Sequence, residues 1–312
     1  MAQKSFVNNA AATKAQYAIT MTGTFVAGET ITITMNSKTL VVTIGTLVTL
    51  TQVATTVKEA WQSSTFTDTT ASCLPQGGGT SVGEMSTMTA TSSAGVVTII
   101  GDTAGVPHTI TSASDTSASG TATLTTIVTA TGPKFADNVL NWLDGSLPVD
   151  GDDIIINGPF QVLYGFAAFS GVQPASITIG DRCGATTQIG LPFVNAAGYN
   201  EYRTPEWSIG PVLLNVRGAA GLVKIDAGTD PMNVNVYSSG TSLESGFSPI
   251  QVRTNEAAAS CVVNAYGGNV SVAARGETAK VLTARQSGAG RLTIGAAVTF
   301  TNLSGNVTVI PD

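Results

Sequence analysis

The chain has 312 residues, of which 43% are hydrophobic and only 11% charged, with a formal net charge of −6. Ordinary soluble domains carry roughly 25% charged residues, so the surface here must be built of Thr, Ser, Asn, Gly and apolar groups, which favours self-association over life as a monomer. The 14 Lys and Arg form no basic run, which excludes the clustered footprint of direct DNA or RNA binding, and no stretch reaches the roughly 18 consecutive apolar residues of a membrane span.

Residues 1–16 are small and polar and read as an N-terminal arm. No apolar segment lies between Lys4 and Lys14, so no secretory signal is expected and the chain is taken to be made in a cytoplasm. Residues 17–131 are predicted to form a small α+β domain, a sheet with one helix packed on it. Polar and apolar residues alternate over 17–24 and 30–35; Asn36-Ser37-Lys38 then turns into 39–44, the pattern of a hairpin. Thr49 can cap a helix whose Leu50, Val53, Val57 and Trp61 share one face. The stretch 63–84, with Gly77-Gly78-Gly79, reads as a loop, and strands are expected at 86–91, 96–100, 109–112 and 121–129.

Gly132-Pro133 breaks this pattern. Residues 132–170 are read as a junction and cap, containing the acidic turn Asp150-Gly151-Asp152-Asp153 and the apolar run Ile154-Ile155-Ile156. Over 171–312, short β runs recur at 176–179, 212–216, 222–225, 234–237, 250–253, 261–265, 270–274, 281–284, 292–294, 298–300 and 307–310. Their spacing of roughly 7 to 16 residues suits a sandwich, a barrel or a solenoid. The short runs, the small residues at Gly267-Gly268 and Gly288-Ala289-Gly290, the absence of Asn-Gly turns, and Asn264, Asn269, Asn302 and Asn306 as corner or stacking residues favour a right-handed parallel β-helix. The expected fold is thus mainly β: a sheet-plus-helix domain, then a solenoid. A trimer would cover the solenoid edges that otherwise template aggregation.

Cys73, Cys183 and Cys261 are far apart, lack CxxC spacing and read as small apolar side chains. A single histidine, His108, excludes a two-His metal site; beside Pro107 it reads as a half-exposed strand residue rather than a triad member. Glycoside cleavage needs two carboxyl groups about 5–10 Å apart. Among the acids from Asp181 to Glu277, Glu201 and Glu206 stand out, because Tyr199, Glu201, Tyr202, Arg203, Glu206 and Trp207 form the densest aromatic and charged cluster. They are candidate contacts for a partner or a glycan. The other reading is a rigid loop in which Arg203 pairs with a carboxylate while Tyr and Trp pack on the solenoid or a neighbour. Asp144, Asp150, Asp152 and Asp153 are the only weak metal candidates; their spacing misses the calcium-loop pattern, and a tight turn explains them. No metal, cofactor or catalytic residue is expected.

The stretch Asn141-Trp142-Leu-Asp-Gly-Ser-Leu-Pro148-Val-Asp150-Gly-Asp152-Asp153-Ile-Ile-Ile resembles the N-W-x-x-G-x-x-P-x-x-G-D entry strand of β-solenoid phage and surface proteins. Leu163-Tyr164-Gly165, Gln188-Ile-Gly-Leu-Pro192, Glu201-Tyr-Arg203, Val234-Asn-Val-Tyr-Ser-Ser-Gly240 and Gly276-Glu-Thr-Ala279 resemble pieces of phage-like proteins in environmental and prophage genomes. The first domain is similar to modules of phage head and tail proteins through Thr22-Gly-Thr24, Ala27-Gly-Glu-Thr-Ile-Thr32, the helix at 53–61 and Asp102-Thr-Ala-Gly-Val-Pro107. The resemblance carries no catalytic motif. It implies a virion structural protein: a capsid decoration protein or head fibre, a homotrimer bound to the major capsid protein or another virion protein. A tail fibre or tailspike that binds, with or without cleaving, host surface glycans is the alternative. A bacterial surface adhesin is a third, disfavoured by the missing signal.

Overall fold

A computed structural model describes residues 2–195, 198–256, 261–273, 278–295, 298–305 and 307–310. Met1 of the arm, Ala274 at the end of a predicted strand, Gly276, Glu277, Asn306 and the side chain of Asn302 lie outside what is described. The chain is mainly β and divides into two compact units. Strand β1 (Gln3–Ser5) belongs to the unit made of residues 1–10, 133–195 and 200–312; the other unit is 11–132 with 196–199.

The 11–132 unit contains β2 (Gln16–Thr24), β3 (Thr30–Met35), β4 (Lys38–Thr43), α1 (Leu50–Trp61), β5 (Ser72–Leu74), β6 (Met88–Ser93), β7 (Val96–Gly101), β8 (Ile110–Asp115) and β9 (Ser119–Val128). They form two antiparallel four-stranded sheets, β6-β7-β2-β9 and β5-β4-β3-β8, where one sheet was expected. Alternation marks the face a strand buries but not its neighbour. Thus β2 and β3, consecutive in sequence, join different sheets, and so do β8 and β9. The short β5 lies inside the expected 63–84 loop and borders the second sheet.

Local chemistry explains the elements that matched. Asn36 and Ser37, at φ 49° and 63°, form the two-residue turn between paired Met35 and Lys38; left-handed backbone at both positions gives the twist a hairpin needs. Thr49 Oγ1 accepts from Gln52 N, and Gln52 Oε1 accepts from Thr49 N at 3.1 Å, a reciprocal cap on α1. Val53, Val57 and Trp61 are fully buried, and Trp61 Nε1 donates to Met88 O at 3.0 Å. Replacing Thr49 by Ala should cost about 1 kcal/mol in urea titrations, whereas replacing the exposed Thr51 should change stability by less than about 0.5 kcal/mol.

The larger unit continues from β1 with β10 (Asp153–Ile156), β11 (Gln161–Val162), β12 (Ser176–Ile179), β13 (Gln188–Ile189), β14 (Trp207–Ser208), β15 (Leu213–Val216), β16 (Leu222–Asp226) and β17 (Asn233–Val236). It ends with β18 (Ile250–Arg253), β19 (Val262–Ala265), β20 (Asn269–Val272), β21 (Ala279–Gln286), β22 (Arg291–Gly295), β23 (Val298–Ser304) and β24 (Val307–Ile310). Every pairing between these strands is parallel among the described residues. One sheet runs β1-β10-β12-β15-β17-β19-β21-β23 and the other β11-β13-β16-β18-β20-β22-β24, with β14 also on β16. From β15 onward the chain alternates strictly between them. Inward residues such as Ile154, Ile177, Leu214 and Val234 of the first sheet share one core with Val223, Ile250, Val270 and Leu292 of the second.

Two boundaries differ from expectation. Residues 1–16 are not one arm: Gln3–Ser5 is the edge strand on β10, with Asp153 N donating to Ala2 O and Phe6 N to Ile155 O, both at 2.9 Å, and residues from 11 on belong to the other unit. Phe6 anchors it, buried edge-on against Trp142 with ring centroids 5.3 Å apart; one aromatic among polar residues gave no periodic signal. The 132–170 junction likewise supplies β10 and β11 of the two parallel sheets. Of the asparagines expected to stack or turn, Asn264 stacks, in mid-strand, and Asn269 opens β20. Asn235 Nδ2 donates to Asn215 Oδ1 at 3.3 Å, and Asn264 Nδ2 to Asn235 Oδ1 at 2.9 Å, because parallel register places the three in one row.

Candidate functional site

The cluster singled out in the sequence is a set of closed pairs. Glu201, with its side chain 1% exposed, holds Arg203 through Nε–Oε1 at 2.6 Å and Nη2–Oε2 at 2.8 Å. The guanidinium lies 5.3 Å from the Tyr164 ring and 5.0 Å from that of Tyr202. Burial opposes its charge, but the Glu201 hydrogen bonds and the two tyrosines outweigh it and raise the Arg203 pKa. A buried carboxylate committed to a guanidinium on both oxygens is a poor proton donor. Glu206 lies 3.6 Å from Arg253, whose nearer partner is Asp226. Trp207 is wholly buried against Phe166 and Phe169. Tyr199 groups with the other unit, its ring 6.0 Å from Lys38 Nζ. The structure therefore realises the pairing of Arg203 with a carboxylate and puts Trp207 in the core, not on a platform.

The acidic turn is dispersed in the same way. Asp144 accepts from Lys4 and Ser146, which hold its carboxyl below the usual range. Asp150 Oδ1 accepts from Gln173 N at 2.9 Å, Asp152 Oδ1 from Ala2 N at 3.0 Å, and Asp153 Oδ1 from Ser176 Oγ at 2.6 Å. Among the described residues no cluster of three or more His, Cys, Asp or Glu could hold a metal ion. His108 is buried rather than half-exposed, with Nε2 3.0 Å from Thr87 Oγ1. Its position just before β8, packed against Gly101, accounts for the difference.

The cysteines are free; Cys183 and Cys261 are buried and Cys73 half-buried, and burial raises all three thiol pKa values. Less thiolate at neutral pH means slower attack. In the native chain an aromatic disulfide reagent should label Cys73 first, with Cys183 and Cys261 reacting only on denaturation; mass spectrometry of labelled peptides checks this.

Sequence reasoning missed a different site. Register aligns Lys224, Gln251, Ser271, Thr293 and Thr308 in one column of the second parallel sheet. Their neighbours Val223, Val252, Val272 and Ile294 face the core, so this column faces outward. Yet Lys224 and Ser271 are each only 1% exposed. The cover is the 237–249 segment between β17 and β18. Its Glu244 is buried: Oε1 accepts from Phe193 N and Oε2 from Gln251 Nε2, both at 2.8 Å, with Lys224 Nζ 3.5 Å from Oε2. Lys224 also donates to Leu191 O at 3.2 Å. This network pins the segment to the sheet.

Beside that network is a cleft of about 590 Å³ lined by Thr241, Ser248, Asn269, Ser271, Arg291 and Thr293, with Phe247 and Pro249 as its main apolar surface. It offers hydroxyls, an amide and one guanidinium, and no carboxylate or histidine lines it among the described residues. That is a set for binding, not for acid–base chemistry. Two features of the sequence could have flagged the covering network: Lys224 stands at an outward position of an apolar strand, and Glu244 is the one charged residue of 237–249.

Comparison with protein-family models, with curated proteins and with solved structures finds no match to this chain. A functional reading therefore rests on the residues and on the motif resemblance.

Proposed function

We propose that the chain is a structural component of a phage virion, a capsid decoration protein or head fibre. It assembles as a homotrimer, binds the major capsid protein or another virion protein through the 11–132 unit, and projects a right-handed parallel β-solenoid. The observation that carries this reading is the strand order: one chain feeds two parallel sheets alternately, each strand pairing with its counterpart one turn on. Such a chain coils, and parallel crossovers are right-handed in about 98% of cases. Self-assembly is supported by the low charge and by exposed apolar side chains within one short segment, Leu140 at 61% and Leu143 at 72%. The virion setting is supported by the motifs at 141–156.

Light scattering of the purified chain should give the mass of three copies; a monomer overturns the trimer. Cryo-electron microscopy of the particle should show its density on the capsid. Density only at the tail tip would replace this reading with the second one, a glycan-binding tail fibre, which the polar cleft favours.

A further inference from the structure

The cleft beneath the 237–249 segment has three properties that bear on a ligand. Its wall is dominated by neutral hydrogen-bonding groups, among them Thr241, Ser248, Asn269, Ser271 and Thr293. Its apolar surface is too small for a lipophilic ligand but includes one aromatic ring, Phe247. Ser271 sits on its outward-facing sheet, almost fully buried, and its Oγ has no hydrogen-bond partner among the described residues; a buried hydroxyl in that state favours any ligand that bonds it. Arg291 is exposed, donates to Thr308 Oγ1 at 3.3 Å and has no acidic partner among the described residues. With no carboxylate in the lining, the cleft favours an anion over a cation. The volume of about 590 Å³ falls in the range of small-molecule sites, about 300–1,000 Å³, and admits one or two sugar rings. Because Glu244 and Lys224 pin the covering segment, the walls stand ready without a ligand.

We propose that this cleft binds a saccharide bearing a carboxylate, one or two rings long. Arg291 takes the carboxylate, Ser271 and Thr293 bond ring hydroxyls, and Phe247 meets an apolar sugar face. The inference does not rest on the virion reading and concerns residues other than the 199–207 cluster.

The test is calorimetric and ligand-observed NMR titration of the full chain with glucuronate, galacturonate, N-acetylneuraminate, glucose and inorganic phosphate. At least one acidic sugar should bind saturably, about tenfold or more tighter than glucose, as a charge-assisted hydrogen bond implies. Arg291→Ala, at an exposed position, should fold normally and bring that sugar down to the level of glucose. Ser271→Ala breaks no hydrogen bond among the described residues, so it should leave the melting temperature unchanged while weakening the acidic sugar and glucose alike. No saturable binding by any of the three acidic sugars overturns the proposal. So does binding that survives both substitutions unchanged, or phosphate binding while every sugar is silent, which marks an anion site only.

Discussion

Replacing Glu244 by Ala should destabilise the parallel-sheet unit by about 3–5 kcal/mol, the cost of leaving a buried charge without its partner. The stranded group is the Lys224 ammonium, 1% exposed, whose remaining hydrogen bond is to Leu191 O. The same substitution also removes the Glu244 acceptor from Phe193 N and from Gln251 Nε2, the latter keeping Ser248 O at 3.1 Å. Lys224→Met should cost less, because the Glu244 carboxylate keeps both of those donors. Combining Lys224→Met with Glu244→Leu should recover part of the loss, since an apolar pair often replaces a buried ion pair at little cost. Urea unfolding followed by tryptophan emission reports on this unit through Trp142 and Trp207, with Trp61 reporting on the other. Limited proteolysis adds a local readout: Glu244→Ala should open the 237–249 segment to cutting before the unit unfolds. Unchanged stability and protection would mean that contacts other than this network hold the segment on the sheet.

The contrast between this network and the cluster at 201–207 shows what the sequence could carry. Runs at 176–179, 250–253 and 307–310 match β12, β18 and β24 residue for residue, because apolar side chains in short strands on a shared core leave a local pattern. Helix α1 was legible for the same reason, with its cap and its buried stripe inside one window. Strands β11, β13 and β14 have two residues each, too short for any period to register. The split of the 11–132 unit into two sheets is a matter of pairing, which alternation does not encode. The cleft was illegible because its strand wall comes from β20 and β22, brought together only by parallel register, and the rest from the 237–249 segment. Its burial depends on a loop folding over an outward face. At 201–207 the chemistry of Arg203 with a carboxylate could be read, but the depth of Trp207 could not: an aromatic beside acids looks the same in sequence whether it lies on a surface or in a core.

That ambiguity gives the sharpest remaining test. Trp207→Ala should cost about 3–5 kcal/mol, as large-to-small changes of buried aromatics do. The ring is 0% exposed, stacked on Phe166 at 6.0 Å and edge-on to Phe169 at 5.5 Å, within the shared core of the two parallel sheets. Trp207→Phe should cost only about 1–2 kcal/mol, because the indole N–H has no acceptor among the described residues and its loss breaks no hydrogen bond. The two substitutions separate the readings of this residue. A sugar platform on the surface would tolerate alanine in stability and lose ligand; a core anchor loses stability in the order Ala well beyond Phe, and any loss of ligand follows from unfolding. Urea midpoints for the two variants, measured beside Arg203→Ala, decide it. Removing Arg203 strands the buried Glu201 carboxylate and should also destabilise the unit, so a destabilised trio marks this loop as part of the scaffold. A Trp207→Ala protein as stable as the wild type would return the 201–207 cluster to the surface and to binding.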